Sequence, residues 1–459
     1  MASWRFHEIV VRSLIPLDNS LPHNRHLGFY STLILFIGRI LGSGIFATPG
    51  LIMKDSQGSY SLYLICWVTG GLIAYSGLAL YLELGSYLPV NGATKKFLEY
   101  IFPNPKYLTS FVFGLFTVIF SLSSPNALVF GEYLRYAFGL ESNESKTKMI
   151  ACSLIVICGI VHGSNKRIGL KCLNILGTLK LMLLGIIMIT CFYVLIIPEK
   201  YTGLTNNLTS ERFKLPKSSS FSGSLYATAL LKCIHSLGGW TTSHTVQNEI
   251  KDPIKVLRVA GPLSIIIIIV LYMLLNLCYL IIIPYEQFMN GDQLIGALLF
   301  TEVYGHKFGT LLVNLIISIS SATNVLIVVF SDSIMNQEVF KEGFLPFSEK
   351  LCSNALFSGT PIGGIFIHCF ISCFIIYVPH KSIYNYVISI QYYPNQVFHA
   401  ILCIALLFKL RRKFPNIHAP IRASTSLIYI CLMGSLSVVL SPFISGDFKF
   451  TLVGMSMML

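Results

Sequence analysis

The chain has 459 residues, of which 54% are hydrophobic and only 12% charged, with a mean hydropathy of +0.69. A soluble domain carries roughly 25% charged residues, so the composition excludes a soluble globular enzyme, and equally a disordered, collagen-like or coiled-coil chain. The net charge of +13 does not imply nucleic-acid binding, because no stretch interleaves clustered basic residues with aromatics. What remains is a polytopic membrane protein with room for about a dozen helices of roughly 20 residues each.

Residues 1–26 hold Arg5, Glu8, Arg12, Asp18 and Arg25 without a long apolar core. This segment reads as a cytoplasmic tail and not as a cleaved signal peptide, and the first span as a retained signal-anchor. Apolar runs then predict spans over Leu27–Met53, Tyr60–Leu82, Tyr107–Phe130, Met149–His162, Leu173–Ile197, Phe221–Val246, Val259–Ile283, Phe308–Met335, Pro361–Val378, Tyr384–Phe408 and Thr425–Phe443. The fourth is short for a bilayer. Residues 444–459 read as a truncated twelfth helix. The spans must be helices, because backbone in hydrocarbon has to satisfy its own polar groups and no two-residue alternation is present.

Basic residues orient the bundle. With a cytoplasmic N-terminus, the inner segments include Lys95, Lys96, Lys166, Arg167, Lys251, Arg258, Lys341, Arg411 and Arg412, and they hold the larger share of Lys and Arg. The triplets Asn143-Glu144-Ser145 and Asn207-Leu208-Thr209 fall in outer loops on this reading and are N-glycosylation acceptors in form. The 12 cysteines are scattered through apolar runs, as at Cys66, Cys158, Cys191, Cys278 and Cys403, with no CxxC and no zinc spacing. Cys369 and Cys373, four apart, have a packing spacing. No cofactor or metal is expected.

Two spans carry interruptions. The first contains Gly38-Arg39-Ile40-Leu41-Gly42-Ser43-Gly44-Ile45-Phe46 followed by Pro49; the sixth contains His235-Ser236-Leu237-Gly238-Gly239-Trp240. A close-packing small-residue face is the alternative, but a Gly-Ser-Gly cluster before a proline favours an unwound stretch between half-helices. Matching interruptions in two sets of five helices are the sequence sign of an inverted-repeat transporter. The fold expected is an all-α 5+5 inverted-repeat bundle with broken helices 1 and 6 and additional C-terminal helices. Residues 27–443 form the transporter unit, with repeat one over 27–197, repeat two over 221–408 and an accessory helix over 425–443. Half-helix N-termini attract a carboxylate, and freed carbonyls attract an ammonium. An α-amino acid, with both groups on one carbon, fits between them.

These residues resemble a known family. Gly42-Ser43-Gly44-Ile45-Phe46-Ala47-Thr48-Pro49 resembles the first-helix signature of the L-type branch of the amino acid–polyamine–organocation superfamily. Tyr81-Leu82-Glu83-Leu84-Gly85 with Asn91-Gly92-Ala93, Gly238-Gly239-Trp240, Asn248-Glu249-Ile250-Lys251-Asp252-Pro253 and Lys341-Glu342-Gly343-Phe344-Leu345-Pro346 are similar to its later segments, in order. The nearest subgroup is the fungal methionine permeases. The resemblance implies that the substrate carboxylate meets backbone N–H groups of Ser43, Gly44 and Ile45. It implies that the amino group meets carbonyls of Ile40, His235, Ser236 and Gly238. A histidine stands at 235 where the family has a large aromatic gate, and Ile334 stands where it often has a basic residue, with Asp332 just before. The resemblance puts Lys180 where sodium-coupled relatives hold a sodium ion. Lys180 is thus the expected proton-coupling residue, or else a tether between helices one and five, with snorkelling as the plain alternative. Animal members pair with a glycoprotein through a cysteine after helix three; Glu132–Lys148 has none, so no disulfide-linked partner is expected.

Other intramembrane charges are functional candidates by default. Arg39 is expected in an ion pair with Glu83 or Asp332, or at the substrate. Lys232 is expected in the outer vestibule. Glu249 reads as a solvated helix end or an inner-gate salt bridge. His162, His368 and His399 read as packing residues. The expected function is import of a neutral, apolar or sulfur-containing amino acid such as methionine by proton symport, with alternating access, in the plasma membrane or an internal membrane such as the vacuole. The alternative is a non-transporting amino-acid receptor on the same fold. An enzyme would need paired acids or a metal motif, and a channel a repeated filter; neither occurs.

Overall fold

The computed structural model describes residues 25–445 apart from 106–107, 142, 216–221, 291–294, 355–358, 379–382 and 414–418. The N-terminal tail up to residue 24 and the expected twelfth helix from 446 onward lie outside the described residues. Every regular element among the described residues is helical. The one β-feature among them is an isolated parallel bridge between Leu27 and Ile250.

The first span is α1 (Phe29–Ile40), α2 (Gly44–Ala47) and α3 (Pro49–Asp55). The second is α4 (Tyr60–Tyr87), started by Ser59, whose hydroxyl accepts from the Leu62 N–H. A short helix, α5 (Ala93–Ile101), follows. The third span divides into α6 (Leu108–Phe120) and α7 (Ser124–Ala137). The fourth and fifth are α8 (Glu144–Ser164) and α9 (Lys166–Ile196). Asn143 and Asn165 cap them by accepting backbone N–H bonds. Because α8 begins at Glu144, the fourth span is longer than its apolar run suggests.

The sixth span is α10 (Gly223–Ser236) followed by a single turn, α11 (Thr242–Thr245), and a 3-10 turn at Gln247–Glu249. The seventh is α12 (Pro253–Ile282). Two connecting helices, α13 (Tyr285–Asn290) and α14 (Ile295–Tyr304), precede the eighth span, α15 (His306–Phe340). Then come α16 (Ile362–Tyr377), α17 (Ile383–Ala405), which runs on as a π-helical stretch to Leu410, and α18 (Thr425–Ser445).

Burial runs opposite to that of a soluble protein. The most apolar stretch of α15 is 78% buried, so α15 is central. Those of α8 and α9 are only 28% and 33% buried. On α16, Phe366, Phe370 and Phe374 recur one turn apart and all face outward. In hydrocarbon this apolar exterior is the stable arrangement. Among the described residues, eight helices are long and apolar enough to cross a membrane.

The third span departs from the sequence expectation of a continuous run over Tyr107–Phe130. Pro125 supplies no N–H and its ring would clash with the carbonyl four residues back, at Ser121. Helix therefore stops at Phe120 and restarts at Ser124 with the proline in its first turn.

Candidate functional site

The interruptions in the first and sixth spans meet each other. The first is shorter than the sequence suggested: Arg39 and Ile40 are still helical, only Leu41, Gly42 and Ser43 unwind, and Pro49 opens α3. The second spans Leu237 to Thr241, with His235 and Ser236 ending α10. Gly239 takes φ +106°, a left-handed conformation that favours glycine. A Cβ there would lie 2.7 Å from Arg39 Cγ and 3.1 Å from Arg39 O. Gly44 lies equally close to Ser236, whose Oγ is 3.0 Å from Thr48 Oγ1.

Unwinding frees backbone carbonyls, and side chains from other spans collect them. Lys180 Nζ of α9 donates to Gly38 O at 2.8 Å and to Ser320 O at 3.1 Å. Asn324 Nδ2 of α15 donates to Arg39 O at 2.8 Å, and its Oδ1 accepts from Arg39 Nη1 at 3.1 Å and from Asn126 Nδ2 at 3.2 Å. Ser320 Oγ donates to Leu41 O at 3.1 Å. Tyr272 OH of α12 lies 3.3 Å from Ile40 O and 3.2 Å from Ser236 O, and so bridges both interruptions. Tyr279, two turns on, donates to Ile45 O at 3.3 Å.

Of the carbonyls expected to meet an ammonium group, Ile40 and Ser236 accept from Tyr272, and His235 accepts from the Gly238 N–H at 3.0 Å. Ile40 O also accepts from the Gly42 N–H at 2.8 Å, and His235 O from the Leu237 N–H, so of these three carbonyls Ser236 O keeps a second lone pair for a ligand. Gly44 and Ile45 open α2, and their N–H groups have no acceptor within that helix. Ser43, next to them, points its hydroxyl at Asn126 Oδ1, 3.4 Å away. The arrangement therefore offers N–H donors on one interruption and a carbonyl on the other.

The charged candidates separate into different places. Lys180 is buried at the α1–α15 seam, a tether to α1. Arg39 does not pair with Glu83 or Asp332 among the described residues; its partner is Asn324. Glu83 is taken by Arg411, with Nε at 3.0 Å and Nη2 at 2.6 Å, and also accepts the Ala423 N–H. That pair ties α4 to the π-helical end of the tenth span. Asp332 accepts from Ser121, at the break in the third span, and from Ser331. Glu249 pairs with Lys166 at 2.7 Å, beside the bridge in which Leu27 N–H donates to Glu249 O and Lys251 N–H donates to Leu27 O, both at 2.8 Å. Lys232 pairs with Asp55 at 2.6 Å at the opposite end. His162 bonds Leu326 O, and His399 packs against Trp240 and Tyr81. No group of three His, Cys, Asp or Glu able to hold a metal occurs among the described residues.

Sequence reasoning missed Tyr272, Tyr279, Asn126, Ser320 and Asn324. A signal existed. Tyr272, Asn276 and Tyr279 recur on one face of an otherwise aliphatic helix, and Ser318, Ser320, Ser321, Thr323 and Asn324 interrupt an apolar one.

Opposed helix interruptions inside an all-α apolar bundle define a membrane transporter. The pattern of the amino acid permease family matches residues 27–458. This chain belongs to that family. It is 37% identical to the low-affinity methionine permease of Saccharomyces cerevisiae over 425 residues, which covers 92% of this chain and 77% of that protein. It is 28% identical to the high-affinity methionine permease of the same yeast, over 92% of this chain and 73% of that protein. It is also 26% identical to the human large neutral amino acids transporter small subunit 2, over 90% and 75% of the two chains.

Proposed function

We propose that this chain imports methionine or a similar neutral amino acid together with protons, by alternating access, across the plasma membrane with its N-terminus in the cytoplasm. The observation that carries this reading is the contact of the two interruptions, Gly44 against Ser236 and Gly239 against Arg39. N–H groups of Gly44 and Ile45 face the substrate carboxylate, and the carbonyl of Ser236 faces its ammonium. Both ligand groups are thereby recognised by main-chain atoms, which leaves side-chain selectivity to neighbours such as His235. The names of the two yeast relatives support methionine as the substrate. Lys180 keeps α1 docked through Gly38 O.

The test is uptake of labelled methionine into cells expressing the chain, competed by a panel of amino acids and repeated with His235→Phe. Saturable uptake competed by apolar and thioether amino acids, with a changed rank order in His235→Phe, is expected. Binding of methionine without any flux would replace this reading with the receptor alternative.

A further inference from the structure

The interruption in the third span carries groups that the other two interruptions do not use. Ser121 Oγ donates to Asp332 Oδ2 at 2.5 Å, and Ser331 Oγ donates to Asp332 Oδ1 at 3.1 Å. Ser123 Oγ lies 3.1 Å from His368 Nε2, and the Ser123 N–H donates to Ser372 Oγ at 3.3 Å. One bend therefore joins a carboxylate from α15 to a buried imidazole from α16. The charged groups that face His368 are Asp332 and, from α1, Arg39. The bend itself contributes only hydroxyls and backbone. The other histidine nearby in the fold, His162 of α8, is engaged by Leu326 O and stacks on Phe330.

We propose that Asp332, working with His368 across the Ser121–Ser123 bend, is the proton-binding site of the transport cycle. This rests on the transporter reading above. A carboxylate at membrane depth is costly, and one proton taken onto an Asp332 oxygen neutralises its charge. A serine hydroxyl both donates and accepts. With Asp332 ionised, Ser121 donates to it; with Asp332 protonated, the acid O–H donates to Ser121 and the serine hydrogen turns elsewhere. Protonation so reverses a hydrogen bond at the start of the break, between the end of α6 at Phe120 and the start of α7 at Ser124. α7 carries Asn126, which holds both Ser43 and Asn324 at the first interruption. Lys180 is a poorer choice for the carried proton. It arrives as a donor already committed to two carbonyls, whereas Asp332 is an acceptor served by two hydroxyls.

The full chain, reconstituted in liposomes, is tested for two quantities. Methionine counterflow needs no proton gradient; acidification of the lumen on adding methionine, read by an enclosed pH dye, does report proton movement. The wild-type protein and Asp332→Glu are expected to do both. Asp332→Asn is expected to keep counterflow and lose acidification, and His368→Gln to shift the pH profile of acidification with counterflow retained. Acidification per methionine unchanged in Asp332→Asn overturns the assignment, and so does loss of counterflow together with acidification in that variant. Wild-type counterflow without acidification overturns the proton site but leaves the carrier; absence of wild-type counterflow overturns the transporter reading and this site with it.

Discussion

Gly44 of the first interruption rests directly on Ser236 of the sixth span: a Cβ on Gly44 would sit 2.9 Å from Ser236 Oγ and 3.0 Å from Ser236 Cα. Gly44 therefore packs against both the Cα and the side chain of Ser236, and an added methyl must push the two half-helices apart. Overpacking of this kind costs about 1–3 kcal/mol, here at the contact between the two interruptions. Gly44→Ala is expected to abolish methionine uptake while the protein still reaches the membrane, as read by uptake normalised to surface-labelled protein. Gly185→Ala, where a Cβ meets nothing within 4 Å, is the matched control and should transport normally. Normal uptake by Gly44→Ala would show that the contact is not needed.

Tyr272 holds the carbonyl ends of both interruptions with one hydroxyl. A phenol has a single hydrogen to give, so the two bonds share it and their spacing stays fixed. Tyr272→Phe keeps the ring and its edge contact with Trp67 but releases both carbonyls. One lost hydrogen bond is worth about 1 kcal/mol, or about fivefold in affinity. The expected result is a KM for methionine raised by about that factor at unchanged surface expression.

Much of this architecture was legible in the chain itself, for identifiable reasons. Hydrocarbon leaves helices as the spanning solution, so the apolar runs became helical, and the glycine-rich stretches at Gly42-Ser43 and Gly238-Gly239 fell in the interruptions of the first and sixth spans. The partners of the freed carbonyls were not legible, because Tyr272, Ser320 and Asn324 come from helices far away in sequence. Arg39 shows the same limit. Its charge called for an acid, yet the neutral Asn324 takes it while Arg411 reaches across to Glu83. The third interruption was missed although Pro125 announced it, since Ser121-Leu122-Ser123 has no glycine to draw attention.

Lys180 is buried and donates to one carbonyl from each of two spans. Hydrogen bonds from a charged group are worth about 1.5–3 kcal/mol, so its removal loosens α1 from α15. Lys180→Met preserves length and apolar stem but removes every donor. Uptake by Lys180→Met is expected to be lost across the whole pH range while insertion persists. Lys180→Arg should not rescue it, because the planar guanidinium does not fit a point-charge site. Full activity in Lys180→Met would remove the tether from the mechanism.

Glu342 lies outside the spans, in the loop after α15, where Lys95 and Lys96 of α5 reach it at 2.7 and 3.1 Å. Burial alone would raise its carboxyl, but the two lysines outweigh burial and hold it below the usual glutamate value. A carboxyl depressed in the folded state contributes stability that is fully present above the unfolded value, about 4.3, and is lost as pH falls through the folded value. Glu342→Gln should therefore lower the Tm of detergent-solubilised protein at pH 7, by an amount corresponding to about 1 kcal/mol. The gap from wild type should begin to close as the pH falls below the unfolded value and vanish once it passes the folded one. A gap that persists in acid would mean that packing, and not the ion pairs, sets the effect.

The Leu27–Ile250 bridge and the Lys166–Glu249 pair close the same end of the molecule, but with unequal strength. The pair is partly exposed, 24% on the lysine side and 12% on the glutamate side, and such pairs contribute about 0–1 kcal/mol. The bridge contributes two backbone hydrogen bonds at 2.8 Å. Opening this end must break all of them, so removing the pair alone should shift the closed population by no more than about fivefold. Glu249→Gln is expected to speed alkylation of a cysteine placed at Leu27 by a factor within that bound. The swap of Lys166→Glu with Glu249→Lys should return the rate toward that of the parent. A rate rising a hundredfold in Glu249→Gln would instead make the ion pair the main lock, with the backbone bridge following it.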